Sequence, residues 1–250
     1  MVKINNNSNK PLVSIVTVVL NNKKFLEKSI LSVLNQNYKN IELIIIDGGS
    51  TDGTLDIIKK YKSKINFFIS EKDNGLYDAM NKGIKNSKGS IIGILNSDDI
   101  YYSNAISTAV NYFINNRNID FLFGGVIKHK LLHGYKPWKI YWSFGFYSAH
   151  SIGFFITRKA QMKVGYYNIK YKYSSDYDLF YRMILKKNMT GMSTKKSEVF
   201  GKFRRGGISS KITFFEYLME TIKIRIDNGQ NKLIVFIIFL AKVIKKIISK

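Results

Sequence analysis

The first half of the chain contains two patterns of apolar and polar residues, which predict strands and helices in alternation. Four apolar runs rich in β-branched residues have the length of buried strands: Val13–Leu20, Ile41–Ile46, Ile65–Ser70 and Ser90–Leu95. Three stretches with an apolar stripe at helical spacing lie between them: Phe25–Gln36, Thr54–Tyr61 and Leu76–Ser87. Strands that are separated by single helices predict a parallel sheet with right-handed crossovers, in an α/β fold.

The second half of the chain has a less regular pattern. The expected elements are a helix at Ser103–Asn115, a strand at Asp120–Ile127, and helices at Ser175–Lys187, Thr213–Asp227 and Lys232–Ser249. The stretch from Tyr135 to Ile156 is rich in aromatic residues. Such residues pack in the core of a sheet, or they form a surface that stacks on sugar rings, and the pattern leaves both interpretations open.

Composition limits the class of protein. With 250 residues, 45% of them hydrophobic, the chain can bury the core of one large domain. It contains no cysteine, which excludes disulfides, thiolate nucleophiles and cysteine zinc sites. The N-terminal residues lack the apolar core of a signal peptide, so we expect a cytoplasmic protein.

The formal net charge is +23, from 40 Lys+Arg against 17 Asp+Glu. This excess indicates an anionic partner, such as a phosphorylated ligand or an anionic lipid, or else a lysine-rich solvated surface. The basic residues are spread along the sequence, which has neither zinc-finger spacing nor the aromatic signature of an RNA-binding module. We therefore expect no nucleic acid among the partners.

Acidic residues follow two of the predicted strands, at the strand ends where parallel sheets bind their ligands. Asp47 comes directly after the second strand, and Gly48 and Gly49 allow a tight turn. We expect an exposed Asp47 carboxylate that accepts hydrogen bonds from a base N–H or from ribose hydroxyls. Residues 50–52 are plausible caps of the following helix. The segment is neither a P-loop nor a dinucleotide-binding glycine motif.

Two further acidic pairs are candidates for chemistry. Asp98 and Asp99 follow the fourth strand. Neighbouring carboxylates repel each other unless a cation is bound, and Mg²⁺ or Mn²⁺ takes such oxygens together with substrate phosphates. The alternative role of this pair is a helix cap. Asp176 and Asp178 stand at a predicted helix start, where the helix dipole favours carboxylates and where a general base can also lie.

Five motifs occur in an order that resembles one family. A strand ending at Asn21 is followed by DGGSTDGT, DNGLYDAMNKGI, LNSDDIY and SDYDL, the last with a basic FRRGGIS loop after it. Each motif alone is weak, but the order resembles the inverting glycosyltransferases of family 2, in the branch that builds bacterial surface polysaccharide and lipopolysaccharide. The resemblance covers roughly Val13 to Ser210. It implies a GT-A fold, in which a mixed, mostly parallel sheet is flanked by helices, with a C-terminal helical extension.

The resemblance also implies roles for individual residues. Asp176 matches the catalytic base, and Asp98 matches the acid that holds Mn²⁺ or Mg²⁺, with Asp99 beside it. The residues implied in nucleotide-sugar binding are Asp47, Gly48, Asp78, Asn81, Lys82, Asn96, Arg204 and Arg205. His150 is a candidate for contact with the acceptor, or else a structural histidine.

The sequence departs from the family pattern at two site positions. Asn96 stands where the first acid of an Asp-x-Asp motif is expected, so an oxygen is kept and a charge is lost. Ser175 stands where relatives usually carry an acid before the base. The implied reaction is a single displacement, in which Asp176 takes a proton from an acceptor hydroxyl while a metal and basic groups stabilise the departing nucleoside diphosphate. Arg204 or Arg205, on a glycine-flanked loop, is expected to close over that diphosphate.

The C-terminal tail has its own pattern. We divide the chain into a glycosyltransferase domain at residues 11–210 and C-terminal helices at residues 211–250. The longest uncharged apolar run of the tail, Leu233–Ala241, has nine residues, whereas a membrane-spanning helix needs about 20. Wound as a helix, the tail separates an apolar side from a side that carries Lys242, Lys245, Lys246 and Lys250.

That separation is typical of a helix lying in a membrane interface. We expect residues 231–250 to bind an anionic membrane surface peripherally, at the inner face of the cytoplasmic membrane, where a lipid-linked or free glycan is the acceptor. The alternative is a helix packed on the catalytic domain or on a second subunit.

Two functions from other classes stay open at this point. A sugar-nucleotide nucleotidyltransferase shares the alternating fold and the metal-binding acids, but the residues after the first strand, VVLNNKKF, lack its glycine-rich signature. A non-catalytic protein that binds anionic polymers or lipids would also use the positive charge. Such a protein would bind polyanions with a steep dependence on salt and would ignore sugar nucleotides.

Overall fold

A computed structural model describes residues 10–142, 151–204 and 212–248. Its centre is a seven-stranded sheet with the order β10-β6-β9-β4-β1-β2-β3. The strands of this sheet are β1 (Val13–Val19), β2 (Ile41–Asp47), β3 (Phe67–Ser70), β4 (Ile91–Ile94), β6 (Phe121–Phe123), β9 (Phe154–Thr157) and β10 (Gly191–Ser193). A smaller sheet contains β5 (Ile100–Tyr101), β7 (Gly125–Ile127), β8 (Leu131–Leu132) and β11 (Val199–Lys202).

The predicted α/β class and the mixed, mostly parallel sheet are confirmed. Strands β4, β1, β2 and β3 are parallel neighbours, as the strand–helix alternation predicts. The antiparallel strand β9 then joins β4 to β6, and β10 continues parallel to β6. Every residue of β1 is buried, because helices cover both faces of this part of the sheet.

The helices of the structure are α1 (Lys23–Leu34), α2 (Thr54–Lys60), α3 (Leu76–Asn86), α4 (Ala105–Asn115), α5 (Trp138–Trp142), α6 (Arg158–Val164), α7 (Ser175–Tyr181), α8 (Phe214–Asp227) and α9 (Lys232–Ile248). Helix α3 approaches β1 very closely at Gly83. A Cβ atom built there would lie 2.2 Å from Cγ1 of Val16, so only glycine fits this contact. The close approach holds α3 against β1, and the N-terminal end of this helix carries part of the candidate site.

The strand predicted over Asp120–Ile127 is wrong in one respect, since it is two strands in different sheets. The strand is interrupted at Gly124, whose N–H donates to the carbonyl of Gly153. The ring of Phe200 lies so close that a Cβ on Gly124 would be 2.2 Å from it. This contact, made by a residue far along the sequence, moves the chain from β6 into β7.

The helix predicted over Ser175–Lys187 also has two parts. The α-helical part ends at Tyr181, and Arg182–Lys186 form a π-helical turn. Arg182 accounts for the change, because its guanidinium donates to the carbonyls of Val164 and Tyr166 as well as to the carboxylate of Asp178. Single π-helical turns of this kind are frequent at functional sites.

The C-terminal helices are present as predicted, up to the last described residue. Helix α8 begins with a capping box between Thr213 and Glu216. Helix α9 packs on α8 through the buried side chains of Val235 and Ile238. Within residues 10–142, 151–204 and 212–248, no helix is both long and apolar enough to cross a membrane.

Candidate active site

The turn after β2 holds Asp47 in a defined geometry. Its Oδ2 atom accepts hydrogen bonds from the N–H groups of Gly49 at 3.1 Å and Ser50 at 3.0 Å, and from the hydroxyl of Ser70 at 2.6 Å. The Oδ1 atom is buried and has no hydrogen-bond partner among the described residues. The expectation of an exposed carboxylate is wrong, since Asp47 is 0% exposed. One oxygen of the carboxylate therefore has unused hydrogen-bonding capacity in this structure.

The loop after β2 is tied to the residues that follow β1. The N–H of Asn21 donates to the hydroxyl of Ser50 at 2.7 Å, and the N–H of Lys23 donates to Asp52 at 3.0 Å. Asn21 accepts in return from the N–H of Thr51 at 2.8 Å. The residue that caps α2 is Gly53, at φ 88°. The prediction of a cap among residues 50–52 is therefore wrong. Their side chains instead join two strand ends, and Asp52 also accepts from the N–H of Thr54 at 3.0 Å.

The residues after β4 form the second part of the site. A turn closes between the carbonyl of Asn96 and the N–H of Asp99 at 3.0 Å. The amide of Asn22 donates to the hydroxyl of Ser97 at 2.8 Å, which ties this turn to the end of β1. Burial raises the pKa of Asp98 above its usual range. The ends of β1, β2 and β4 thus meet at one edge of the sheet, as the parallel topology predicts.

Asp99 is buried and connects this turn to the segment after β11. Its Oδ1 atom accepts a hydrogen bond from the N–H of Arg204 at 3.0 Å. Burial raises the pKa of Asp99 to about 8, and the Arg204 hydrogen bond acts in the opposite direction. The guanidinium of Arg204 lies 3.5 Å from the ring centroid of Phe25. The fold therefore brings Arg204 to Asp98 and Asp99, although more than 100 residues of chain separate Arg204 from these two acids.

The oxygen atoms of this turn suit a divalent metal. The Oδ1 atom of Asn96 is buried and has no hydrogen-bond partner among the described residues, and Asp98, two residues further along, is half-buried. Both are hard oxygen donors of the kind that Mg²⁺ and Mn²⁺ bind. The described ranges contain no group of three or more His, Cys, Asp or Glu placed to hold a metal. Two protein oxygens that share a metal with substrate phosphates fit this arrangement.

Asp176 shares a pocket with Asn96. The pocket lies between α3, α7 and the start of β9, and it is lined by Leu76, Tyr77, Met80, Asn96, Ser151, Phe154, Tyr167, Asp176 and Phe180. The amide of Asn96 donates to the hydroxyl of Ser151 at 3.1 Å. The Oδ1 atom of Asp176 lies 3.4 Å from the hydroxyl of Tyr77. The pocket is thus mostly apolar and aromatic, with its few polar groups around Asp176 and Asn96.

Asp178 differs from Asp176 in its surroundings. It is buried, and its two oxygens accept from Arg182 Nε and from the amide of Asn228, both at 2.9 Å. These contacts anchor the start of α7 to Arg182 and to the C-terminal end of α8. Asp176 is only half-buried and borders the pocket.

Three candidates on α3 have protein partners. Asn81 is buried, and its amide donates to the carbonyl and accepts from the N–H of Tyr167, at 2.8 and 2.9 Å. Both polar ends of Asn81 are therefore used within the protein, which argues against its predicted role in nucleotide-sugar binding. Lys82 lies 2.7 Å from Glu71 and 3.7 Å from Asp78. Lys82 and Asp78 thus form a charge cluster near the strand edge.

Two predicted site residues, His150 and Arg205, lie outside the described residues. Two residues of the pocket, Tyr77 and Ser151, were not among the site residues predicted from the sequence. Both stand in the pocket wall, and Tyr77 is stacked on Tyr167 with ring centroids 5.4 Å apart. Tyr77 stands within the DNGLYDAMNKGI motif, but only the fold shows its contact with Asp176.

A comparison with protein-family models identifies this architecture. The model of glycosyl transferase family 2 matches residues 14–185. The chain belongs to glycosyl transferase family 2. This membership confirms the resemblance drawn from the five motifs, and it sets the nucleotidyltransferase alternative aside. Helices α8 and α9 lie beyond the matched region.

Curated relatives carry the same family name. An uncharacterized glycosyltransferase of Rickettsia typhi is 32% identical over 192 residues, which cover 71% of this chain and 60% of that protein. The putative teichuronic acid biosynthesis glycosyltransferase TuaG of Bacillus subtilis is 34% identical over 119 residues, which cover 46% of this chain and 47% of TuaG. The chain thus spans less than two thirds of the length of either relative.

Solved structures share the fold. The S. aureus TarS 1-349 structure in complex with UDP-GlcNAc aligns with a TM-score of 0.69 at 16% identity, over 91% of this chain and 70% of that one. The mannosyltransferase PcManGT of Pyrobaculum calidifontis, in complex with GDP-Man and Mn²⁺, aligns with a TM-score of 0.67 at 14% identity, over 94% and 70% of the two chains. These likenesses confirm a glycosyltransferase fold of the GT-A type.

Proposed function

We propose that the chain transfers a sugar from a nucleotide-sugar donor to a hydroxyl group of a glycan or glycolipid, with inversion, in the synthesis of a cell-surface polysaccharide. The observation that carries the proposal is the pocket that brings Asp176 to Asn96, so that the candidate base faces the candidate metal turn. The name of TuaG, a putative teichuronic acid enzyme, supports the polysaccharide role. The UDP-GlcNAc and GDP-Man of the two structural neighbours support a nucleotide-sugar donor.

The donor would bind along the edge where β1, β2 and β4 end. The unpartnered Oδ1 atom of Asp47 would accept a hydrogen bond from the base or the ribose of the nucleotide. Gly48 is proposed to belong to the same site; the carboxylate of Asp73 fills the space where a Cβ at this position would stand, so a side chain here would displace Asp73. Arg204 would contribute positive charge to the diphosphate, and Arg205 is proposed to act with it.

The metal proposal rests on the oxygens of the Asn96–Asp99 turn. Asn96 and Asp98 would hold Mn²⁺ or Mg²⁺, with Asp99 beside them. When bound, such an ion stabilises the charge that develops on the leaving diphosphate. The loss of one charge at Asn96 lowers the attraction for the ion, so the substrate phosphates would supply part of the binding. Mn²⁺ in the PcManGT complex supports a divalent ion here.

In the transfer step, Asp176 would accept the proton of the acceptor hydroxyl. The hydroxyl oxygen forms a bond to the anomeric carbon, while the bond between that carbon and the phosphate oxygen breaks and the nucleoside diphosphate leaves with the electron pair. Attack from the face opposite the leaving group inverts the configuration. Asp176 is suited to this role because it borders the pocket and contacts Tyr77, whose hydroxyl can orient it.

The experiment compares the wild-type chain with the variant Asp176→Asn. Nucleoside diphosphate release is measured with Mn²⁺ over a panel of UDP-, GDP- and dTDP-sugars, and the binding of the best donor is measured by calorimetry. We expect the variant to lose about 10²–10⁴-fold in rate, while the dissociation constant of the donor changes by less than about threefold. Near-normal turnover in the variant, or no hydrolysis of any donor by the wild type, would contradict the proposal.

The membrane proposal rests on helix α9. One face of α9 packs on α8, with Lys242 5.8 Å from the ring centroid of Tyr217 and Lys246 5.6 Å from that of Phe214. This face therefore packs on α8, which belongs to the C-terminal helices and not to the predicted domain at residues 11–210. The opposite face carries exposed apolar side chains at helical spacing: Leu233, Phe236, Ile237, Leu240, Ile244, Ile247 and Ile248.

An apolar stripe of this length beside a lysine-rich helix end is complementary to an anionic bilayer surface. Residues 231–250 would thus hold the enzyme peripherally at the inner face of the cytoplasmic membrane, next to a lipid-linked acceptor. Free glycans remain acceptable substrates of the same site. The membrane would cover a face that the fold otherwise leaves in water.

A flotation assay tests this attachment in the full chain. The triple variant Phe236→Ser, Leu240→Ser, Ile244→Ser is compared with a control that carries Met162→Ser and Ile169→Ser, at exposed apolar positions away from α9. We expect wild type and control to float with anionic liposomes at low salt, and the triple variant to stay soluble. If the wild type stays soluble, the attachment is wrong, and a concentration-dependent dimer in sizing experiments would instead assign the stripe to a second copy.

A further inference from the structure

Helix α8 binds the backbone of the segment that carries Asp176. The carboxylate of Glu220 accepts a hydrogen bond on each oxygen, from the N–H of Lys172 at 2.6 Å and from the N–H of Tyr173 at 2.8 Å. The carbonyl of Tyr173 accepts from the hydroxyl of Tyr77 at 3.1 Å. The same hydroxyl lies 3.4 Å from Oδ1 of Asp176. Glu220 is therefore linked to the candidate base through one backbone unit and one side chain.

Other residues of the same region hold both sides of this segment. The hydroxyl of Tyr171 donates to Asp227 at 2.7 Å. The amide of Asn228 donates to Asp178 at 2.9 Å, two residues after Asp176. The contacts lie before and after the base, so together they restrict its position along and around the start of α7.

A buried arginine adds a third contact between α8 and α7. Arg225 is 1% exposed, and its guanidinium donates to the carbonyls of Ile140 and Tyr141 at the end of α5. It lies 5.2 Å from the ring centroid of Tyr177, whose hydroxyl donates to the same carbonyl of Ile140 at 3.0 Å. Burying a guanidinium is costly unless its donors are satisfied. These contacts join α5, α7 and α8 into one packed unit around the residue that follows Asp176.

The segment from Lys170 to Ser174 belongs to neither sheet and lies between two helices. Its backbone N–H groups at positions 172 and 173 find their acceptor on α8, which lies outside the region matched by the family model. We infer that Glu220 is a positioning residue for sugar transfer, which fixes the loop before α7 so that Asp176 and Tyr77 face the pocket. The inference rests on the proposed function, because it assigns Glu220 to the base of that reaction.

The test uses two variants of the full chain, Glu220→Gln and Glu216→Gln. The residues are one turn apart on α8, and each carboxylate accepts a backbone N–H, but Glu216 accepts from Thr213 in its own helix cap. This hydrogen bond lies within the cap of α8 and not on the segment before α7, so Glu216→Gln is a control for loss of a hydrogen bond in α8. In Glu220→Gln, one backbone N–H meets an amide N–H₂ instead of an acceptor, so the loop must shift.

The probe is the nucleotide sugar that the wild type hydrolyses fastest among UDP-GlcNAc, UDP-Glc, GDP-Man and dTDP-Glc. We expect Glu220→Gln to lower kcat by about 10- to 100-fold, since small misplacements of reacting groups have effects of that size. Its donor dissociation constant should stay within about twofold of wild type. Glu216→Gln should keep both values within about twofold. Glu220→Asp, which keeps two acceptor oxygens, should retain more of kcat than Glu220→Gln.

Each outcome decides one question. If the wild type hydrolyses no donor of the panel, the proposed function fails and this inference fails with it. If the wild type is active and the two glutamine variants lose kcat equally, or neither loses it, only the positioning role is overturned. If Glu220→Gln does not fold, Glu220→Asp replaces it, with a kcat reduced about three- to tenfold at unchanged donor affinity. An unchanged kcat in that variant would overturn the role.

Discussion

The substitution Asp47→Asn distinguishes the roles of the two oxygens of a buried carboxylate. Oδ2 accepts three hydrogen bonds, from two backbone N–H groups and the hydroxyl of Ser70. In the variant, the amide oxygen must take that place, because an amide N–H₂ would oppose three donors. The N–H₂ group then stands where Oδ1 stands, which is the position proposed for the ligand. The change would therefore convert the proposed acceptor of the ligand into a donor.

The magnitude follows from the kind of hydrogen bond that is lost. A hydrogen bond to a charged group contributes about 1.5–3 kcal/mol, and the loss of charge on Oδ2 costs a similar amount of folding stability. At about 1.4 kcal/mol per factor of ten, the nucleotide should bind about 10- to 150-fold more weakly. A donor facing the N–H of a base adds repulsion, so the upper part of this range is expected for UDP.

The assay is titration calorimetry of UDP and GDP with Mn²⁺, and the control is Ser70→Ala. The control removes one donor to Oδ2 and leaves Oδ1 unchanged. It should lower stability by about 0.5–1.5 kcal/mol and change nucleotide affinity by less than about threefold. If Asp47→Asn binds both nucleotides as tightly as wild type, Asp47 serves only the turn, and the assignment of Oδ1 to the ligand is refuted.

Three further outcomes are expected. Asp98→Ala should abolish the Mn²⁺-dependent part of UDP or GDP binding, measured with and without EDTA. Asp99→Ala should weaken this binding less, because the Asp99 carboxylate accepts a hydrogen bond from the backbone N–H of Arg204. Equal effects of the two substitutions would show that Asp98 has no special role in metal binding. Burial lowers the pKa of Lys242 to about 8, whereas its value in the unfolded chain is about 10.4. Between about pH 8 and about 10.4 the folded chain therefore binds fewer protons than the unfolded chain, and its stability rises with pH. Lys242→Met should raise the melting temperature at pH 7 and make it depend less on pH over this range. Gly83→Ala should cost about 1–3 kcal/mol in chemical unfolding, because its Cβ meets β1 at 2.2 Å; an unchanged midpoint would show that α3 can move away.

Local pattern was sufficient for the parallel core of the sheet. The runs that form β1 and β2 are apolar on both faces, and the helices between them have one apolar side, so strand, crossover and strand follow from a few neighbouring residues. The break at Gly124 is different, because its cause is the ring of Phe200 on another strand. No window around Gly124 contains that information.

The candidate site also has features that the sequence predicts and features that only the fold creates. The positions of Asp47, Asp98 and Asp176 near element ends were predictable, because Asp47 ends a strand, Asp98 lies in the turn after one, and Asp176 stands in the first turn of a helix. The burial of Asp47 was not, since it depends on Ser70 from the neighbouring strand. The contact of Tyr77 with Asp176 joins residues 99 positions apart. Such pairs have no spacing rule, and only the packing of α3 against α7 creates them.

The C-terminal helices show why a boundary read from composition differs from one read from contacts. The expected division at residue 210 follows a basic loop and a change to long amphipathic helices. Hydrogen bonds nevertheless cross that boundary, since Glu220 accepts from the N–H groups of Lys172 and Tyr173 and the amide of Asn228 donates to Asp178. If α9 binds a membrane as proposed, the membrane-binding surface and the proposed base Asp176 are linked through α8. The apolar stripe would then influence catalysis as well as location, because a tilt of α8 would be passed through Glu220 to the segment before Asp176.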